Sequence, residues 1–206
     1  MPNGDRGENL QRAIGAYEAA LTVYTKVAHP VNWAMTQNNL GIAWRNMPNG
    51  DRGENLQRAI EAYEAALTVR TKAAHPVDWA MTQNNLGSAW RNMPTGDRGE
   101  NLQRAIEAYE AALTVYTKVA HPVDWAMTQN NLAVALAAIA ELDGQDRCGL
   151  LRRAIAAGKG ALTIRTAKAM PHDHASTSRN LQIDREAYEA AGCGSAIPFD
   201  DIEPAQ

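Results

Sequence analysis

Histidine, cysteine and carboxylate side chains are where catalysis or metal binding would have to start, and this chain offers few of them in a useful arrangement. His29, His75 and His121 each precede a proline and lie 46 residues apart. Side chains separated by a whole sequence repeat cannot converge on one metal or substrate, so a junction-packing or capping role is expected. His172-Asp173-His174 is the one close ligand-like cluster. Its histidines lack the helical i, i+4 spacing that presents two imidazoles to one ion, and no metal site is expected there. Cys148 and Cys193 are too few and too irregularly placed for a disulfide framework. The expectation is two thiols in a reducing compartment, Cys148 packed in the last hairpin and Cys193 in a flexible tail between Gly192 and Gly194. Gly50, Gly53, Gly96 and Gly99 fall at turns around helix starts rather than in a phosphate-cradling loop. The sequence predicts no catalytic residue, no metal and no cofactor.

Amide side chains bind rather than react, and here they recur. Met81, Asn84, Asn85, Ser88 and Asn92 lie close to one helical stripe, separate from the stripe of leucine and tryptophan. An amide offers one acceptor and two donors. Such a row either faces a ligand or cross-links neighbouring helices.

The element that positions these residues is a 46-residue repeat. PNGDRGENLQRAIEAYEAALTVRTKAAHPVDWAMTQNNLGSAWRN runs from Pro48 and closes with Met93; near-copies begin at Pro2 and Pro94. Pro30, Pro76 and Pro122 keep the same period, which is the sign of stacked repeats sharing a continuous core. In the first half of each copy Leu56, Ala59, Ile60, Tyr63, Ala66 and Leu67 recur at steps of three and four, so they form one apolar helix face. Asp51 with Glu54 makes a capping box that starts this helix near Arg52, and Asp5 with Glu8 and Asp97 with Glu100 repeat it. His75-Pro76 ends it and opens a second helix, with Pro76 at its first position and Asp78 in its first turn. Helices are predicted at about 6–27, 31–46, 52–73, 77–92, 98–119, 123–142, 147–167 and 173–190. Residues 1–191 form the array and 192–206 a tail, disordered or folded back through Ile197 and Phe199.

A formal net charge of −3 gives no bulk attraction to nucleic acid. Arg52, Arg58, Arg70 and Lys72 share their helix region with Glu54, Glu61 and Glu64, and Tyr24 and Tyr116 replace Arg70 in the other copies. That is a mixed solvated face, so no nucleic-acid partner is expected. No apolar run is long enough to span a membrane and no signal-peptide pattern is present, so no membrane partner is expected and the location read from the sequence is cytoplasmic.

Leu86-Gly87, then Trp90, then Ala105, Tyr109 and Ala112 at steps of four and three resemble the tetratricopeptide repeat. The family period is about 34 residues, against 46 here, with the excess divided between both halves of the copy. Pro, Asp-Trp-Ala, Gln-Asn-Asn-Leu-Gly and Gly-Asp-Arg look like the long bacterial form of that repeat, found in some proteins beside a protease-like domain. The resemblance covers about residues 5–190 and implies an all-α fold, antiparallel helical hairpins stacked as a solenoid. In that family the first helix of each repeat lines a concave groove, where an asparagine just before the leucine bonds to the backbone of an extended peptide. The matching residues are Asn39, Asn85 and Asn131, with Asn180 in the degenerate last copy; Asn38 and Asn84 adjoin them, and Arg45 and Arg91 lie within reach of a carboxylate.

The expected function is a non-enzymatic protein-interaction scaffold with a peptide or protein partner in the groove. A self-assembling structural repeat protein without a separate ligand is the alternative. The partner helix that precedes its equivalents is absent from the first helix, where Leu10, Ile14, Tyr17 and Leu21 form an apolar face, so the expectation is either a homodimer through this helix or a cover within one chain from Asn3 to Glu8 or the tail from Ile197.

Overall fold

Aspartate and proline take turns in starting the helices. The structure, a computed structural model, describes residues 5–142 and 145–194. Its helices are α1 (Arg6–Val23), α2 (Pro30–Asn46), α3 (Arg52–Leu67), α4 (Pro76–Arg91), α5 (Arg98–Leu113), α6 (Pro122–Ala140), α7 (Arg147–Leu162) and α8 (Pro171–Ala190). The carboxylates of Asp51, Asp97 and Asp146 accept the amides of Glu54, Glu100 and Gly149 at 2.8, 2.7 and 3.0 Å, satisfying donors that a helix start leaves open. Pro30, Pro76, Pro122 and Pro171 open the alternate helices, where a missing N–H costs nothing. The histidines before the first three sit at the N-cap position without a side-chain capping bond.

The odd-numbered helices end four to six residues earlier than the apolar pattern predicts, α3 at Leu67 and α5 at Leu113. Threonine explains it. The Thr68 hydroxyl donates back to the Ala65 carbonyl at 2.6 Å, and Thr71 accepts the Ala74 amide at 3.2 Å while its carbonyl takes the His75 amide at 2.9 Å. These local bonds offer the backbone an alternative to another helical turn. Between α2 and α3, and again before α5, the chain turns through Gly50 and Gly96 at φ of 82° and 78°, the left-handed region that glycine adopts without a Cβ clash.

The chain divides into two compact units after Ala108. In the first, α1 packs on α2, α2 on α3 and α3 on α4, as in a tetratricopeptide-like stack of hairpins. Ile14 of α1 is buried with Leu40, Ala43 and Met47, flanked by Leu10, Tyr17 and Leu21. The α1 face expected to lack a partner is therefore packed on α2 only in part, with Ile14 buried and Leu10, Tyr17 and Leu21 half-buried, because the chain after α1 folds back onto it. Gly41 lies against Tyr63: a Cβ there would stand 2.6 Å from the ring, so the close approach of α2 to α3 depends on its absence. Tyr63 is fully buried with Leu56, Ile60 and Leu86.

In the second unit α6 packs on α7 and α7 on α8, around Ala140, Leu151, Ile155, Leu181 and Tyr188. Ser176, Arg179 and Gln182 of α8 face outward. The cysteines are not the two free thiols expected. Cys148 and Cys193 form a disulfide, their Cα atoms 5.4 Å apart. The first turn of α7 and the residues after α8 come together in one hairpin, which separation along the chain conceals. Residues 195–206, including the expected fold-back through Ile197 and Phe199, lie outside the described residues.

Candidate functional site on the asparagine-bearing helices

The amides sort into two groups. Asn38 is 1% exposed and Asn84 and Asn85 are 5% and 9% exposed, whereas Asn39, Arg45 and Arg91 are half-buried. Asn38 Oδ1 accepts from Asn85 Nδ2 and from the Thr82 hydroxyl, both at 3.3 Å. Arg45 Nη1 donates to Asn85 Oδ1 at 3.4 Å, and Asn38 Nδ2 reaches Asn39 Oδ1 at 3.5 Å. Arg70 completes this network, donating to the Thr82 hydroxyl at 3.1 Å and lying 3.7 Å from the Asp78 carboxylate. The first unit thus brings Asn38, Asn39, Asn85 and Arg45 together, with α2 and α4 tied by their amides. In the second unit Asn180 Nδ2 donates to Asn130 Oδ1 at 3.5 Å, so α8 and α6 are tied the same way. Asn131 is half-buried on α6.

The cations missed by sequence reasoning as ring partners are those on tryptophan. Arg58 lies 4.6 Å from the centroid of Trp44 and Arg104 4.7 Å from that of Trp90. Lys26, Lys72 and Lys118 stand over Trp33, Trp79 and Trp125 at 5.5, 5.8 and 5.8 Å. The signal was available, since each arginine follows its tryptophan by 14 residues and each lysine precedes its own by 7.

Two of the three junction histidines meet a tyrosine ring. His29 and His121 meet the edges of Tyr24 and Tyr116 at 5.7 and 5.6 Å. His174 places Nδ1 2.7 Å from the Arg165 carbonyl, while His172 is exposed beside Asp173. Among the described residues no three His, Cys, Asp or Glu side chains gather where they could hold a metal ion, and no catalytic constellation is assembled.

A cavity of about 560 Å³ opens in the second unit between the end of α5, α6 and α7. Leu113, Tyr116, Trp125, Leu132, Leu136 and Ala157 line it, with Arg153 and Glu110 joined as an ion pair at the exposed edge. Gln129 is also in its wall; it is 4% exposed and its Oε1 has no hydrogen-bond partner. Sequence reasoning did not find this site, although Leu136 in place of Trp44 and Trp90 was its visible trace. No family model and no curated protein matches the chain.

Proposed function

We propose that the chain is a non-enzymatic protein-interaction scaffold that holds a peptide or protein partner in a concave groove along its asparagine-bearing helices. The observation that supports this reading is the division of labour among the amides. Asn38 and Asn85 fix α2 against α4, which leaves Asn39 and Arg45 half-exposed at a set geometry on the same face. In this reading Asn38, Asn84 and Asn85 position the helices, Asn39 and Asn131 grip peptide groups, Asn180 grips with the amide atoms that its link to Asn130 leaves over, and Arg45 and Arg91 meet carboxylates. An amide that both donates and accepts binds a backbone without reading its side chains.

The copies are then a long variant of the tetratricopeptide repeat, of the bacterial kind found beside protease-like domains, with residues 1–191 as the array and 192–206 as its tail. Nucleic acid is disfavoured because Arg58 and Arg104 are stacked on indoles and Arg70 is paired with Asp78. No described helix is long and apolar enough to cross a membrane. Against a cytoplasmic location stands the Cys148–Cys193 bond, since such bonds form and persist chiefly in oxidising compartments. A homodimer through α1 would use the half-buried Leu10, Tyr17 and Leu21, which flank Ile14 where it is buried on α2.

A peptide-array screen against the full chain, repeated with Asn39, Asn131 and Asn180 jointly changed to Ala, tests the proposal. Retained peptides should lose about tenfold or more in affinity for the triple variant. Failure to retain any peptide, or unchanged affinity in a folded triple variant, would reject it.

A further inference from the structure

The first two 46-residue copies carry a half-buried tryptophan that the third copy lacks. Trp44 and Trp90 each lie under an arginine guanidinium, Arg58 and Arg104 respectively. Leu136 stands at the corresponding place in the third copy, 46 residues after Trp90. Arg153, seven residues after the capping Asp146 as Arg104 is seven after Asp97, has no indole to cover and pairs with Glu110 instead. Ala156 stands where the earlier copies carry Glu61 and Glu107, ten residues after their capping aspartates. Two side chains are thus shortened around the same spot, and both Leu136 and Ala156 line the cavity of about 560 Å³.

We propose that this cavity is an anchor pocket for the tryptophan side chain of a partner peptide, its ring taking the place that Trp44 and Trp90 fill in the earlier copies and its indole N–H donating to Gln129 Oε1. Three features fit one occupant. The walls are apolar and aromatic, from Trp125, Leu132 and Leu136, as pockets that seat an anchor side chain are. The buried Gln129 Oε1 without a partner is an acceptor whose burial is costly until a donor arrives, and indole has a donor and no acceptor. The mouth carries the exposed Arg153–Glu110 pair, which keeps water and charge at the rim. An occupant must leave a polar remainder there, as a side chain on a solvated backbone does. Arg153 is also placed as Arg58 and Arg104 are in the earlier copies, where a guanidinium over an indole adds cation–π attraction. The proposal rests on the peptide-binding reading and supplies it with a specificity residue.

The test uses the full chain and three short peptides of Gly and Ser that carry Trp, Leu or Ala at the centre, followed by ligand-observed saturation-transfer NMR and titration. The Trp peptide should bind at least about tenfold more tightly than the other two. Leu136→Trp, which restores the repeat's own indole at the cavity wall, should abolish that preference. Because the larger ring could disturb folding, Gln129→Leu is the second variant: it removes an unsatisfied buried group, so its melting temperature should hold or rise, while Trp-peptide affinity falls about tenfold. Equal binding of all three peptides, or Trp-peptide binding unchanged in both variants, overturns the pocket. Free indole that binds as tightly as the Trp peptide overturns the peptide source, because the backbone then contributes nothing. If peptides from the array screen depend on Asn39 and ignore Leu136→Trp, the anchor fails while the scaffold stands. If the Trp peptide binds and no peptide depends on the asparagines, the anchor stands and the backbone grip fails.

Discussion

Asn85 of α4 donates its Nδ2 hydrogen to Asn38 Oδ1 of α2 across 3.3 Å, and both side chains are buried. An asparagine next to the repeat's leucine is thereby a cross-link between helices of successive copies. Its neighbour Leu86 is in the core with Tyr63 and Met93. The two adjacent positions stabilise the first unit by different physics.

Asn85→Ala should destabilise the protein by about 1–3 kcal/mol, because it leaves Asn38 Oδ1 and the Arg45 guanidinium short of a partner they were placed to meet. Leu86→Ala should cost more, about 2–5 kcal/mol, through lost transfer energy and an unfilled cavity. Chemical denaturation of both variants against the parent measures the difference. A neutral Asn85→Ala would show that the amide link contributes no stability.

The Cys148–Cys193 bond closes a loop across α7 and α8, with a sequence separation of 45. Cross-links of that span restrict the unfolded chain and stabilise by about 2–4 kcal/mol. Reductant should lower the melting temperature of the parent and leave a Cys148→Ser, Cys193→Ser double variant, already less stable, unmoved. Equal melting of parent and double variant, together with rapid alkylation of both thiols in the native protein, would count against the bond.

Structural features with a local cause are legible in the sequence, and those with a distant cause are not. Asp51 and Pro76 act within a single turn, so helix starts were legible from residue type alone. Helix ends were not, because Thr68 and Thr71 compete with the apolar periodicity through their own hydroxyls. The Asn38–Asn85 link spans two helices, and nothing in a run of Gln-Asn-Asn-Leu says which partner each amide meets across them. Cys148 and Cys193 carry no pattern until α7 and α8 pair. The cavity was half legible: Leu136 breaks the tryptophan series in plain view. Three added residues before α7 hide that Arg153 is the counterpart of Arg104, so the missing stack emerges only once the helices are aligned by their caps.

Asp184 of α8 offers a pH readout of the second unit. It is 4% exposed, its Oδ2 has no hydrogen-bond partner, and burial, with a smaller push from the Glu141 charge, raises its pKa to about 7. The unfolded chain returns this carboxyl to about 3.9. Between those values the folded state binds the proton and the unfolded state does not, so folding is favoured by protonation and stability falls as pH rises through the window. The stabilisation is fully present below about pH 4 and lost as pH passes about 7, a slope opposite to that of a salt-bridged carboxylate. Asp184→Asn removes the titrating group at nearly constant shape, and it should flatten the decline from pH 4 to 7 and raise stability most at the alkaline end. Denaturation midpoints at unit intervals of pH for parent and variant decide the matter. Parallel curves would show that Asp184 remains ionised in the folded protein, with water or a cation compensating its charge.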